Sequence, residues 1–408
     1  MTSEPAQDLR AGPLEAGGRH ERADGAQAGF GLYVHWPFCR AKCPYCDFNS
    51  YVAEAIEQGR WRRAYLAELE RVAAETSGRR LRSVYFGGGT PSLMDPETVA
   101  ELLAAARRLW RWEREVEVTL EANPGSCDPA RLRAFRDAGV NRLSLGVQAL
   151  DQEGLRRLGR THDVATAIRA AEAGRRIFPI LNLDLIYARP GQSLGGWMRE
   201  LERALLLEPD HLSAYELTIE PGTPFARQHR AGRLSVPGED RRAVFARRTL
   251  RRLEEAGFAC YEVSNFARPG RMCRHNLIYW RAGDWLGIGP GAHGRLSLCG
   301  DRIATRAVRA PGLWLRAVEE RGCGELVRER LGPREAAVEY AIMALRLAEG
   351  LDLDRLAGFL GAPWEELLDP EAVERLVEAG LLVLEDSRLC ASAQGWLRLD
   401  ALVRAILR

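Results

Sequence analysis

Lysine is almost absent from the chain. Lys42 is the only lysine, so arginine supplies nearly all of the positive charge, and the simplest cause is the base composition of the gene. The formal net charge is only +2, which gives the composition no bias toward nucleic acid. Lys42 lies between two cysteines, but its being alone assigns it no role.

Long apolar runs are absent as well. No stretch reaches the roughly 18 residues of a membrane-spanning helix, so no such segment is predicted. Residues 1–28 lack Phe, Tyr, Trp and the apolar core of a signal peptide, and we predict a disordered tail there. The nine cysteines show no disulfide framework, so a reducing cytoplasm is the expected compartment.

The composition, 46% hydrophobic and 28% charged over 408 residues, predicts a large globular domain and a smaller one. Short β-rich runs alternate with helical runs between residues 30 and 216. The predicted strands are Phe30–His35, Ser83–Phe86, Val116–Glu121, Arg142–Val147, Ile180–Ile186 and His211–Glu216. The predicted helices are Glu54–Glu75, Pro96–Leu109, Pro129–Ala138, Val164–Arg176 and Leu194–Leu207, with Gly139 and Gly174 as helix ends. This alternation predicts an α/β fold with a parallel sheet, which binds ligands at the carboxyl ends of its strands.

The pattern loosens after residue 217. A helix over Asp240–Ala256 and a strand over Phe258–Val263 precede a stretch rich in Gly and Pro, residues 286–293. Three later helices and a hairpin predict a mostly helical, winged-helix-like domain: Arg334–Leu347, Leu353–Leu360, Pro370–Ala379, and Leu381–Glu385 with Arg388–Ala391. We place the core and its extension at residues 29–295, a connecting segment at 296–331 and the C-terminal domain at 332–408. Acidic residues in that domain repel phosphate and argue against nucleic acid as a partner.

Cys39, Cys43 and Cys46 form a Cys-x3-Cys-x2-Cys cluster with no fourth cysteine close by. Three thiolates can hold three irons of a 4Fe-4S cluster and leave the fourth iron open. Zinc is the main alternative, although it needs a fourth ligand and no paired Cys-x2-Cys or His-x3–5-His follows. Cysteines that bind no metal are the second alternative.

Residues suited to ligand binding stand at the ends of the predicted strands. The glycine run with Gly88, Gly89 and Thr90 follows the second strand, and the next three end at Glu121, Gln148 and Asp184. Glycine lets a backbone approach a ligand, and acidic side chains can bind hydroxyl pairs. Arg160 is a candidate partner for a carboxylate. Plain turns, helix capping and solvent contacts are the structural alternatives.

Together, these motifs resemble the radical S-adenosylmethionine (SAM) superfamily, and within it the oxygen-independent coproporphyrinogen III oxidase group. The resemblance covers residues 30–400 and includes Glu121-Ala-Asn-Pro124, Leu145-Gly-Val-Gln148 and Leu158-Gly-Arg160. It implies a partial barrel of six strand–helix units, a 4Fe-4S cluster on the three cysteines and SAM on the open iron. The implied SAM contacts are Tyr33, Tyr45, Gly88, Gly89, Thr90, Glu121, Gln148, Arg160 and Asp184.

Two functions are open within this group. One is radical decarboxylation of coproporphyrinogen III in porphyrin biosynthesis, and the other is a heme chaperone that passes heme to an acceptor protein. The resemblance is closest to the heme chaperone branch, HemW, because Phe48 stands where the oxidases have an additional cysteine and His275-Asn-Leu-Ile-Tyr-Trp280 matches a chaperone motif. Heme as cargo, an acceptor protein and an electron donor are the implied partners. Enzymatic activity stays open, and no catalytic residue is assigned.

Two further features of the sequence are a candidate heme ligand and an unusual turn after the fifth predicted strand. Imidazole is a common axial heme ligand, so His275 is a candidate, although it can equally buttress a loop. The turn Tyr187-Ala188-Arg189-Pro-Gly-Gln192 departs from the Tyr-Gly-Leu-Pro-Gly-Gln of the family. Ala188 suits that turn only if φ is negative there, and Arg189 brings a charge close to the implied SAM site.

Overall fold

The computed structural model describes residues 28–408. The predicted tail therefore lies outside the described residues except for Ala28, which is buried. The chain divides into two compact units. The described residues of the larger unit are 28–260 and 264–331, and the smaller unit contains Tyr261–Val263 and Gly332–Arg408. Within residues 28–408, no helix has the length and apolar character needed to cross a membrane.

The larger unit is built on an open sheet of twelve strands, in the order β14-β13-β12-β11-β1-β4-β5-β6-β7-β8-β10-β9. The strands from β11 through β1 to β8 pair in parallel, and the two ends of the sheet are antiparallel. Its strands are β1 Phe30–Trp36, β4 Arg80–Gly88, β5 Arg111–Ala122, β6 Arg142–Gln148, β7 Ile180–Tyr187, β8 His211–Glu216, β9 Ala259–Glu262, β10 Asn265–Ala267, β11 Asp284–Ile288, β12 His293–Leu298, β13 Asp301–Ala307 and β14 Glu325–Leu331. The short strands β2 Phe38–Cys39 and β3 Tyr51–Val52 form a separate pair.

Helices alternate with the strands of this sheet along the chain. They are α1 Gln58–Ala73, α2 Pro96–Leu109, α3 Pro129–Ala138, α4 Gln152–Arg157, α5 Val164–Ile177, α6 Leu194–Leu205, α7 Pro224–Arg230, α8 Glu239–Glu255, α9 Arg274–Trp280 and α10 Pro311–Arg321. The predicted α/β fold with six strand–helix units is confirmed, and α2 and α3 have the predicted bounds. Proline occupies the first turn of both helices, and Asp128 caps α3 by accepting from the Arg131 N–H.

One local prediction was wrong, and one strand was not predicted. Gly139 ends α3 with a φ of 116°, but Gly174 lies inside α5, which continues to Ile177. A Cβ on Gly174 would stand 2.8 Å from Leu143 Cδ2, so the glycine allows close approach of helix and sheet. The stretch rich in Gly and Pro is partly strand, because β11 pairs with β1 and extends the sheet. Residues 296–331 hold β13, α10 and β14.

The smaller unit is mostly helical. Its helices are α11 Pro333–Ala344, α12 Leu353–Leu360, α13 Pro370–Glu378, α14 Ala393–Trp396 and α15 Leu399–Ile406. The predicted hairpin is present as β16 Leu382–Glu385 and β17 Arg388–Ala391, and β15 Leu351–Asp352 adds a third strand. Buried Leu356, Leu389 and Ile406 belong to the core of this unit.

Candidate functional site

The three cysteines lie on a loop that leaves the carboxyl end of β1. Proline follows Trp36, and the chain then turns so that the Cys46 N–H donates to the Cys43 carbonyl at 3.1 Å. Pairing of Phe38 with Tyr51 closes the base of the loop. All three thiols are free and half-buried. We name residues 39–52 the cysteine loop.

Lys42 closes the cysteine loop from within. Its ammonium donates to the carbonyl of Phe48 at 3.2 Å and to the carbonyl of Ser50 at 3.0 Å. No role for this lysine could be predicted from the sequence, because hydrogen bonds made by a side chain in a loop produce no periodic pattern of residues. Its charge also opposes the larger effect of burial, which raises the pKa of Cys46.

Two other segments contact the cysteine loop. The Thr90 hydroxyl, which follows β4, donates to Cys39 Sγ at 3.4 Å. The Arg160 guanidinium donates from Nη1 to Cys43 Sγ at 3.4 Å and from Nη2 to the Gly146 carbonyl at 2.8 Å. A cavity beside Cys43 is lined by Thr90, Asn123 and Arg160. The carboxyl ends of the strands therefore bring the cysteines together with two of the predicted SAM contacts.

Gly88, which ends β4, and Gly89, which follows it, allow two close approaches. Gly88 has a φ of 117°, and its N–H donates to Glu121 Oε2 at 3.0 Å. A Cβ on Gly89 would stand 2.7 Å from the Phe38 carbonyl oxygen, so a larger residue would collide with the start of the cysteine loop. Glycine is therefore required at these positions, because the chain passes too close to the start of the cysteine loop for a larger residue.

Glu121 stands near the end of β5 and accepts a second bond from the Tyr85 hydroxyl at 2.9 Å. Burial, together with the negative charge of Asp184, raises the pKa of Glu121 to about 7. Asp184 lies within β7 rather than at its end, which corrects the sequence expectation. It accepts from Ser144 Oγ at 3.1 Å and from Asn182 Nδ2 at 2.7 Å, and burial raises its pKa.

The remaining predicted contacts are placed around the same end of the sheet. The Tyr33 hydroxyl lies 3.0 Å from His35 Nδ1, and its ring stacks on Tyr85 with 6.2 Å between centroids. Burial raises the pKa of Tyr45, and the positive charge of Arg160 opposes this increase. Gln148 ends β6 with a φ of 67°, a left-handed conformation that is uncommon for glutamine.

His275 occupies a different position. It lies on α9, is almost fully buried, and contacts Ser83 Oγ through Nδ1 at 2.8 Å and the Tyr279 hydroxyl through Nε2 at 2.7 Å. Burial lowers the pKa of His275 to about 3. Both ring nitrogens have partners, so iron ligation would require one of these contacts to break.

The turn after β7 answers the two questions that the sequence left open. Ala188 has a φ of 55°, so the turn does need the left-handed conformation in which the family has glycine. Arg189 is buried and pairs with Glu200, which also accepts from the Leu150 N–H at 2.9 Å. The charge of Arg189 is therefore directed to α6 and to the segment that follows Gln148.

The residues present fit a 4Fe-4S cluster and SAM. Within residues 28–408, no three acidic, cysteine or histidine side chains converge closely enough to hold a single metal ion. A four-iron cluster does not require such convergence, because each thiolate binds a different iron. Arg160 Nε is buried without a partner beside the cavity, which suits a group that accepts hydrogen bonds, such as the carboxylate of SAM.

Family models and curated proteins match most of the chain. The radical SAM superfamily model matches residues 33–204, and the HemN C-terminal domain model matches residues 331–398. A heme chaperone HemW of Mycobacterium tuberculosis is 39% identical, covering 93% of this chain and 95% of its own. A mitochondrial radical S-adenosyl methionine domain-containing protein 1 of Danio rerio is 38% identical, covering 92% and 86%.

A solved structure supports the same fold. Coproporphyrinogen III oxidase (HemN) from Escherichia coli aligns with a TM-score of 0.77 over 92% of this chain and 89% of its own, at 23% identity. That similarity concerns the fold alone, whereas the identity to the HemW proteins extends over nearly the whole sequence. The chain therefore belongs to the radical SAM superfamily, to its HemN-like group and, within that group, to the heme chaperone HemW branch.

Proposed function

We propose that this protein is a heme chaperone that holds a 4Fe-4S cluster and SAM, binds heme as cargo and passes it to an acceptor protein. The observation that carries the proposal is the near full-length identity to HemW proteins in a chain whose three thiols are free. A heme-binding role comes to this chain from the names of those relatives. Membership in the radical SAM family supports the cluster and SAM.

In this proposal, Cys39, Cys43 and Cys46 would hold the cluster, with SAM beside it. When bound and reduced, the cluster would supply an electron for cleavage of the sulfonium bond of SAM. Arg160 binds the SAM carboxylate, and the backbone of Gly88 and Gly89 with Thr90 holds its amine end. Glu121, Gln148 and Asp184 bind the remaining polar groups, and Tyr33 and Tyr45 flank the adenosine.

The paired positions of Glu121 and Asp184 support these roles. Burial and the charge of Asp184 disfavour the ionised form of Glu121, and burial also disfavours the ionised form of Asp184, so these carboxylates raise the free energy of the unliganded protein. A ligand that donates hydroxyl protons, such as the ribose diol, would lower that cost. Ser144 and Asn182 hold Asp184 in place, so its orientation is set before a ligand binds.

The proposed partners and compartment rest on the similarity to the HemW proteins. The heme acceptor and the donor that reduces the cluster are not identified by any residue of the chain. A cytoplasmic location fits a protein with reduced thiols, although the animal relatives are named as mitochondrial. We retain residues 29–295 as the radical SAM core and its extension, 296–331 as the connecting segment and 332–408 as the C-terminal domain.

A radical oxidase is the second candidate, and the fold that the chain shares with HemN is compatible with it. Such an enzyme would decarboxylate two propionates of coproporphyrinogen III. Phe48, which is 61% exposed, stands at the position of the additional cysteine of the oxidases. The chaperone therefore has the stronger support.

One preparation can decide between the two candidates. Anaerobic reconstitution should give about four irons per chain, followed by a heme titration and an assay with coproporphyrinogen III. We expect a heme-dependent visible spectrum and no protoporphyrinogen IX. Turnover to that product would reject the chaperone function, and uptake of zinc alone would reject the cluster.

The heme ligand needs a separate experiment. His275→Ala should change the heme spectrum if His275 exchanges one of its present contacts for iron. Ser83→Ala, which removes a partner of His275 but no imidazole, is the matched control. An unchanged heme spectrum in His275→Ala would reject the ligand assignment and leave the histidine as a structural residue.

A further inference from the structure

Each thiol of the cysteine loop has its own hydrogen-bonding neighbour, and the three neighbours come from different parts of the chain. Thr90 Oγ1 lies 3.4 Å from Cys39 Sγ, and Arg160 Nη1 lies 3.4 Å from Cys43 Sγ. The third is Ser50, whose Oγ lies 3.9 Å from Cys46 Sγ. A 3.9 Å contact with sulfur is long but remains within the range for a thiol, which has a large radius.

Ser50 is held firmly in this position. Its N–H donates to the Phe48 carbonyl at 2.7 Å, and its own carbonyl accepts from Lys42 at 3.0 Å. The side chain is only 5% exposed, so water does not compete for its hydroxyl. The Ser50 hydroxyl therefore faces the Cys46 thiol.

Thr90 is fixed in a comparable way. It is 9% exposed, and its carbonyl accepts from the Leu93 N–H at 2.9 Å, which starts the turn after the glycine run. Backbone constraints therefore place both hydroxyls before any cluster is present. Their arrangement differs from that of surface serines and threonines, whose hydroxyls rotate freely and exchange with water.

Hydrogen bonds to ligand sulfur stabilise the more negative state of an iron–sulfur cluster. Reduction adds one electron to the cluster, and the added charge is spread over iron and sulfur. A donor that points at a thiolate favours this state and raises the reduction potential. Removal of the donor should lower the potential without changing the number of iron ligands.

We propose that Ser50 and Thr90 are positioning residues that raise the reduction potential of the cluster by donating hydrogen bonds to its cysteine ligands. This inference rests on the proposed function, because it requires the cluster on Cys39, Cys43 and Cys46. It adds to that function, because two hydroxyl groups would control how easily an electron donor reduces the cluster. Ser50 has no other assigned role, whereas Thr90 is also a predicted SAM contact.

The test measures the midpoint potential of the reconstituted cluster without SAM, by titration followed by electron paramagnetic resonance. Ser50→Ala and Thr90→Val remove the hydroxyls, and Thr90→Ser retains one. Thr98→Val is the matched control, because Thr98 is buried on α2 and its hydroxyl has no partner. Iron content of each variant is measured on the same samples.

At the wild-type midpoint, we expect the ratio of reduced to oxidised cluster to fall about three- to tenfold in Ser50→Ala and in Thr90→Val. A tenfold change corresponds to about 59 mV for a one-electron couple. Thr90→Ser and Thr98→Val should stay at the wild-type midpoint, with iron content equal in all variants. If Ser50→Ala loses iron, Ser50→Thr keeps the hydroxyl and should restore both iron and midpoint.

Three outcomes would overturn the proposal. Wild-type midpoints in both Ser50→Ala and Thr90→Val, at full iron content, would reject hydrogen bonding to the thiolates as a control of the potential. An equal shift in Thr98→Val would reject any specificity for the cysteine loop. Wild-type protein that takes up no iron would overturn the proposed function together with this inference, so the two failures are distinct.

Discussion

The two halves of the parallel strands differ in how their polar side chains are paired. In the amino-terminal half, Glu117 and Arg142 pair at 3.3 Å with both side chains almost fully buried, and His275 uses both ring nitrogens. In the carboxyl-terminal half, the thiols are free and Arg160 Nε is buried without a partner. Residue type does not distinguish the halves, because both contain acids, arginine and cysteine. Glu117 and Arg142 in the amino-terminal half bond to each other, whereas the thiols and Arg160 Nε have capacity left for a ligand.

The largest effect that we predict is on the cysteine loop. Cys43→Ala should abolish the cluster, because two thiolates cannot hold it, while the free energy of unfolding of the apoprotein stays near that of wild type. Iron content and visible absorption after reconstitution, with circular dichroism, measure both quantities. Cys299→Ala is the matched control, since Cys299 is exposed on the turn between β12 and β13. A full cluster in Cys43→Ala would contradict the assignment.

The amino-terminal half should respond in the opposite way. Arg142→Met leaves the buried Glu117 carboxylate without its cation and removes a bond to the Arg271 carbonyl. Loss of one partner of a buried pair costs about 3–5 kcal/mol. We expect that loss in the free energy of unfolding measured with urea, while folded protein still takes up its iron.

An exposed pair provides the reference for this substitution. Arg156→Met removes a surface contact with Glu153 and should leave the free energy of unfolding almost unchanged, because exposed ion pairs contribute little. Loss of iron from folded Arg142→Met, rather than loss of stability, would mean that the two halves are not separate in function.

These differences mark the limit of what the sequence can predict. Asp128 and Pro129 marked the start of α3 and Gly139 marked its end, so its bounds were predicted correctly. Gly174 was misassigned because its reason is a tertiary contact with Leu143, and no local pattern reports such a contact. β11 was missed because it becomes a strand by pairing with β1. Lys42 and Ser50 act on the loop through hydrogen bonds that leave no periodic signal.

A third prediction concerns pH and Glu121. Its pKa is about 7 in the folded protein and about 4.5 in an unfolded chain, so the folded state binds this proton more tightly. Stability is therefore greatest below pH 4.5 for this group and is lost as the pH rises through 7. Glu121→Gln removes the penalty and should stabilise the apoprotein by up to about 3 kcal/mol at pH 8.

Urea unfolding of wild type and Glu121→Gln at pH 5 and pH 8 measures this effect. The stabilisation should be larger at pH 8 than at pH 5, and SAM binding should weaken in the same variant. Glu70→Gln, which changes an exposed carboxylate on α1, is the matched control for the change of side chain. Equal effects of Glu121→Gln at the two pH values would contradict a raised pKa.

The smallest predicted effect is at Ala188, where the turn beside the site is strained. Glycine relieves a left-handed conformation that costs about 1–2 kcal/mol for alanine. The same substitution loses roughly 0.8 kcal/mol because a buried methyl group is removed. It costs about 0.5–1 kcal/mol more because glycine loses more chain entropy on folding. The free energy of unfolding of Ala188→Gly should therefore lie within about 0.5 kcal/mol of the wild-type value. Ala214→Gly, in β8, loses the same methyl without strain relief and should cost roughly 1.5 kcal/mol. Equal losses in the two variants would show that the turn carries no strain, and the difference between the site and the rest of the sheet would then lie in side-chain pairing alone.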